Sequence, residues 1–266
     1  MTTKSAAQRT GLALAQIFLG LFGLGVSAYF AISEFASLTQ TSPALPAEVP
    51  WGAYGIAVSA IPLTTGFVSL ARAPQGKTAR GMGALFTLTG LIGLWAAYRL
   101  SVDKVITLTD PNPVLDCNFS VLVQCGANLQ SWQGSLFGFP NPLMGLAGWV
   151  AVIVIGIALA RGIRLQAWMW RTIALGVSGA LAFVIWLISQ SIFELGTLCP
   201  WCMVTWAVTI PLFWATLSYT AREGWLGSGA TRAGALAHAW VPLLTVISYL
   251  TVAVIAQLQL DVMSNL

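Results

Sequence analysis

The sequence predicts an all-α polytopic membrane protein, on three observations. The 266 residues are 57% hydrophobic and only 8% charged, where ordinary globular domains carry about 25% charged residues. A soluble chain this apolar lacks the polar surface to cover itself. Apolar runs near the ~20 residues needed to cross a bilayer recur along the whole length. The basic residues gather on alternate connections, as the positive-inside rule requires of membrane spans. In such a chain the net charge of +4 concerns topology and gives no sign of nucleic-acid binding.

Taken in order, the runs are 11–32, 52–71, 82–101, 143–160, 168–190, 202–220 and 237–258, about seven spans. The first is long, and no small-residue cleavage site follows it, so it reads as a retained span and not a signal peptide. No polar stretch is long enough for an additional soluble domain. With the N-terminus inside, the inner connections hold Lys4, Arg9, Arg72, Lys77, Arg80, Arg161, Arg164, Arg171, Arg222 and Arg232, ten of the twelve basic residues. The outer ends hold Arg99 and Lys104 with seven of the eight acidic residues. The expected location is the plasma (inner) membrane, with the N-terminus cytoplasmic and the C-terminus outside.

The longest connection, 102–141, lies outside on this reading. Its segment "GANLQSWQGSLFG" sets Leu129, Trp132, Leu136 and Phe137 near helical spacing, which predicts a short helix at the outer interface. "FPNPLMG" follows, and Asn141 as N-cap with Pro142 at the first helical position predicts the start of the fourth span. "LCPWC" predicts that Pro200 occupies the first turn of the sixth span, with Cys199 and Cys202 at its mouth.

All four cysteines, Cys117, Cys125, Cys199 and Cys202, thereby fall on the outer side, where disulfides form and persist. Residues three apart on a helix share a face, and Cys-x-x-Cys thiols at a helix N-terminus are reactive in disulfide exchange. Two alternatives stand beside that reading. A structural disulfide across four residues constrains little chain and stabilises little. Four cysteines also suit zinc, but the C-x7-C spacing is long for a zinc arm, and the single histidine, His238, lies toward the inner end of the last span. No metal site is expected. For Cys117 and Cys125 alone, a bracing disulfide is the default. Together the pairs form a relay able to pass two electrons from a soluble thiol into the membrane. No haem-attachment or flavin motif offers an acceptor, and a lipid-soluble quinone fits what remains. A non-enzymatic protein with bracing disulfides, such as a transporter, is the rival class, although the spans show few of the intramembrane charges that mark transport paths.

At "CNFSVLVQC", "SWQGSLFGFPNPLMG" and "LCPWCMVTW" the sequence resembles the vitamin K epoxide reductase family, in its bacterial quinone-linked disulfide-forming branch, over roughly residues 82–222. The resemblance implies a four-helix-bundle quinone-binding core within residues 76–225, two extra N-terminal transmembrane helices in residues 1–75, and a C-terminal transmembrane helix in residues 226–266. It implies that Cys199 and Cys202 are the membrane active-site pair, with Cys202 facing quinone (menaquinone or ubiquinone), and that Cys117 and Cys125 are the shuttle pair. Cys125 would hand electrons to Cys199, and Cys117 would meet an extracytoplasmic thioredoxin-fold partner. Many bacterial relatives carry such a domain fused after the last span, whereas this sequence stops at Leu266, so the partner is expected in trans. Ser131 and Asn141 match family positions near the quinone, and Asn141 would hydrogen-bond one of its oxygens. Trp206 stands where vertebrate members have tyrosine, which argues against vertebrate-type epoxide chemistry; a quinone or quinone-epoxide reductase acting chiefly in quinone recycling is the alternative enzymatic reading. Phe137 and Trp206 are aromatic candidates for the quinone site. Each has a plain alternative: a helix cap for Asn141, a capping hydroxyl for Ser131, and packing or interfacial aromatics for Phe137 and Trp206.

Overall fold

The computed structural model describes residues 79–265 except 111, 112 and 114; upstream it describes 13–23, 26, 27, 55, 58–62, 64 and 65. The expected spans 11–32 and 52–71 therefore lie only in part within the described residues. Within the first of them, helix α1 (Ala13–Gly23) is apolar. The remaining elements are α2 (Arg80–Thr109), α3 (Gly126–Gln130), a 3-10 turn (Trp132–Ser135), α4 (Asn141–Ala160), α5 (Ala167–Ser189) running on as a π-helical turn (Gln190–Glu194), α6 (Pro200–Arg222), α7 (Thr231–Ala239), α8 (Val241–Leu260) and α9 (Val262–Asn265). Five helices among the described residues are long and apolar enough to cross a membrane: α2, α4, α5 with its π turn, α6 and α8. The protein is an all-α polytopic membrane protein, as its composition requires.

The chain divides into two compact units, Met1–Pro113 with Gly134–Leu165 and Val114–Gln133 with Gln166–Leu266. In the first, α2 and α4 pack at close range along their lengths. A Cβ on Gly90 would come within 2.6 Å of Ile153 Cγ1, and one on Gly156 within 2.6 Å of the Thr87 backbone nitrogen. Small residues let membrane helices approach this closely, where dispersion contacts must replace the hydrophobic effect.

The second unit holds α5, α6, α7 and α8. Val184, Ile188 and Ile192 of α5 meet Leu198, Trp206 of α6 and Ala256 of α8 in one buried cluster. Pro211 lies inside α6, where it removes one ladder hydrogen bond. At the other end of the unit, Trp170 lies 4.7 Å from Tyr219 and stacks on Trp225 at 5.6 Å, measured between ring centres.

Two boundaries differ from expectation. The third span does not end at residue 101: α2 continues to Thr109, with Ser101, Asp103 and Val105 buried along it. The charges at Arg99, Asp103 and Lys104 end the apolar run without ending the helix, because Val102, Val105 and Ile106 maintain its apolar face. The last span does not begin at residue 237 either. His238 belongs to the separate α7, the chain breaks at Trp240, and Pro242 sits in the first turn of α8, where its missing N–H costs nothing.

Candidate thiol relay site

The pair Cys117 and Cys125 closes a loop. Cys117 and Cys125 form a disulfide with their Cα atoms 5.8 Å apart. Asn118, directly after the first cysteine, shapes the turn: its Oδ1 accepts the backbone N–H groups of Cys125 at 3.0 Å and Gly126 at 3.3 Å. Those donors open α3, so one amide closes the loop and starts the short helix. Within the loop, Val123 N–H donates to Ser120 Oγ at 3.0 Å. Phe119 and Val121 point outward, 74% and 89% exposed, while Cys117 and Cys125 are buried at 2% and 0%.

A two-stranded bridge then joins this loop to the inner pair. Val123 and Leu198 form a parallel bridge, in which Leu198 N–H donates to the Leu122 carbonyl at 2.7 Å and Gln124 N–H to the Leu198 carbonyl at 3.0 Å. The segment before Cys199 is thereby zipped to the segment before Cys125. Asn128 Nδ2 adds a hydrogen bond to Thr197 Oγ1 at 3.0 Å, and Ser191 Oγ donates to the Thr197 carbonyl. Gln133 Nε2 donates to Gln190 Oε1 at 3.2 Å, on the π turn.

The result is a sulfur contact. Cys199 Sγ lies 3.5 Å from Cys125 Sγ, across 74 residues of sequence. Cys199 is the N-cap of α6, and the Cys202 backbone N–H donates to its Sγ at 3.3 Å. Pro200 stands in the first turn, as the sequence predicts. Cys199 is a free, buried thiol, and Cys202 is a free, half-buried one. Helix N-terminal N–H groups stabilise negative charge on an acceptor, which suits a sulfur that must attack or leave.

Of the other predicted residues, Trp206 lies one turn beyond Cys202, buried in the cluster against which Cys202 and Met203 pack. Ser131 donates its hydroxyl to the Asn128 carbonyl at 2.8 Å at the end of α3. Asn141 and Phe137 belong to the other compact unit. Asn141 is the first residue of α4, and Pro140, not Asn141, holds the N-cap position. The Asn141 Oδ1 instead accepts Leu136 N–H at 3.2 Å, pinning the preceding turn. Phe137 is 56% exposed and packs on Phe139, with ring centres 6.4 Å apart. Sequence reasoning missed Asn118, Asn128, Gln133, Gln190 and Thr197. Only the Cys-Asn step gave a local sign, since asparagine favours such turns.

A membrane quinone requires an apolar seat beside a reactive thiol. The half-buried Cys202, set against Val184, Ile188, Ile192, Met203 and Trp206, has that chemistry. Comparison with curated proteins and with solved structures found no match. The family comparison is decisive for the region that holds all four cysteines, from early α2 to late α6: residues 84–217, half of the chain, match the model of the Vitamin K epoxide reductase family, and the chain belongs to that family.

Proposed function

We propose that the protein is a quinone-dependent thiol–disulfide oxidoreductase that oxidises the dithiol of an extracytoplasmic thioredoxin-fold partner and so supports disulfide bond formation. Members of this family are membrane oxidoreductases that use quinones and work with thioredoxin-like partners. The observation that carries the finer reading is the 3.5 Å separation of Cys199 and Cys125 sulfurs, with one pair bonded and the other reduced.

The relay runs by two exchanges. A partner thiolate attacks Cys117 Sγ and displaces Cys125 as thiolate; the partner's second thiol then resolves the mixed disulfide and releases Cys117. When the inner pair is oxidised, the Cys125 thiolate attacks Cys199 Sγ and displaces Cys202. Cys117 then closes on Cys125 and releases Cys199. Each exchange breaks one S–S bond and forms another, and the two electrons end on the inner pair with their protons. The bonded outer pair and free inner pair correspond to the stage after this transfer. Cys202 is the thiol against the apolar cluster, so residues around Trp206 would hold the quinone. A bound quinone supplies a two-electron, two-proton acceptor there.

The positive-inside distribution supports an extracytoplasmic placement of the cysteines. The test combines purified protein, a reduced thioredoxin-fold protein and a short-chain quinone. Partner thiols and quinone should disappear in a ratio of two thiols per quinone. Quinone loss without partner oxidation would refute the reading.

A further inference from the structure

We propose that a groove between the start of α5 and the end of α6 binds an anionic phospholipid, with the Arg171 guanidinium holding the headgroup phosphate. The groove has a volume of about 610 Å3 and is lined by Arg171, Leu175 and Ser178 of α5, Leu217 of α6, and Trp225 and Leu226 beyond it. That volume lies in the range of small-molecule sites. Its wall is mostly apolar, and Leu175 is 75% exposed, so the groove opens sideways onto the helix face that meets lipid. An acyl chain fits such a wall better than a polar solute does.

The charge pattern specifies the headgroup. Arg171 is the single charged residue in the groove. Its Nε donates to the Trp225 carbonyl at 2.5 Å, which fixes the stem and leaves the terminal N–H groups as donors. Among the described residues the recorded ion pair is Arg222 with Glu223, and Arg171 has no carboxylate partner. A cation at the edge of hydrocarbon without a counter-charge is costly, and a phosphate answers it with paired, charge-assisted hydrogen bonds. Trp225, stacked on Trp170, places aromatic rings beside it, as at the headgroup level of membrane proteins.

The site is separate from the thiols. Arg171 lies in the first turns of α5 and Glu194 ends its π turn, and at 1.5 Å per residue they stand about 35 Å apart. Ser191 near the far end meets the segment that leads into Cys199. The inference therefore does not rest on the relay.

The test uses the full chain in a mild nonionic detergent. Bound lipid is counted by native mass spectrometry with phosphatidylglycerol or with phosphatidylcholine of the same acyl chains, and glycerol 3-phosphate serves as a soluble-phosphate arm. Phosphatidylglycerol should be retained about fivefold over phosphatidylcholine, the effect of one basic residue near a membrane surface. Arg171→Gln should abolish the preference, Arg171→Lys should keep most of it, and Arg222→Gln at the same end should leave it intact. Should Arg171→Gln fail to fold, Leu175→Trp decides: it keeps the charge and fills the groove, and it should lower retention of phosphatidylglycerol. Equal retention of the two lipids by the native chain, an unchanged preference in Arg171→Gln, an equal loss in Arg222→Gln, full retention in Leu175→Trp, or glycerol 3-phosphate bound as well as the lipid would each overturn the proposal.

Discussion

Replacing Asn118 with alanine tests the relay at its hinge. The side chain touches neither sulfur of the inner pair, yet its Oδ1 accepts two backbone N–H groups, at 3.0 and 3.3 Å. Each neutral hydrogen bond contributes about 0.5–1.5 kcal/mol net. Asn118 is exposed, so water replaces part of what is lost, and about 1–2 kcal/mol is the expected cost. That corresponds to a five- to thirtyfold fall in the ratio of closed to open loop. Cys125 should then meet Cys199 less often. In rapid-quench alkylation, electron transfer from a reduced loop to an oxidised inner pair should slow by up to that factor, while Cys117 should be alkylated faster. Asn118→Asp keeps an acceptor for both N–H groups and should recover most of the rate. A wild-type exchange rate in Asn118→Ala would refute the view that loop closure presents Cys125 to Cys199.

Further expectations follow from the same geometry. Cys125→Ser should accumulate a disulfide-linked complex between Cys117 and the partner, visible on a nonreducing gel, and Cys117→Ala should abolish it; survival of the complex without Cys117 reverses the loop order. Trp206→Ala should empty part of the buried cluster and cost about 3–5 kcal/mol, read as a lower melting temperature in detergent, whereas Trp206→Phe should cost less. His238 is held below the usual histidine range by burial and by the Arg222 charge, so the folded state resists its protonation. Stability from this source is complete above the ordinary pKa of about 6.5 and falls as pH drops below it; the melting temperature should decline from pH 7.5 to 5.5, and His238→Gln should flatten that decline. Impermeant thiol reagents applied to intact cells should label the loop cysteines of single-cysteine variants; labelling only after lysis would invert the topology.

The five spans among the described residues were legible because hydropathy is a sum over many residues and survives local exceptions. The start of α6 was legible because Pro200 admits few alternatives there. The end of α2 was not, since charge marks the end of an apolar run and not the end of hydrogen bonding; Asp103 is buried within the helix. The contact between Cys125 and Cys199 was readable only through family resemblance. Its physical cause, the pairing of Val123 with Leu198, joins segments with no shared pattern in the sequence. The Gln133 and Gln190 pair is hidden for the same reason: each is an ordinary polar residue until the chain folds. Asn141 shows a different limit. Its side chain is engaged in a local turn, as its residue type foretells, but it holds the preceding loop and not its own helix.

The burial of both sulfurs in the loop disulfide bears on leakage. A wire that ends in bare metal discharges into whatever touches it; here the terminal is sheathed. Small diffusible thiols in the surrounding medium meet Phe119 and Val121 but not the bond behind them. On the proposed relay, a thiol partner has to uncover the buried bond before exchanging with it, and the exposed apolar tip at Phe119 and Val121 is what it would meet first. If the proposed function holds, selectivity for a thiol partner would reside in the energy needed to uncover the sulfur.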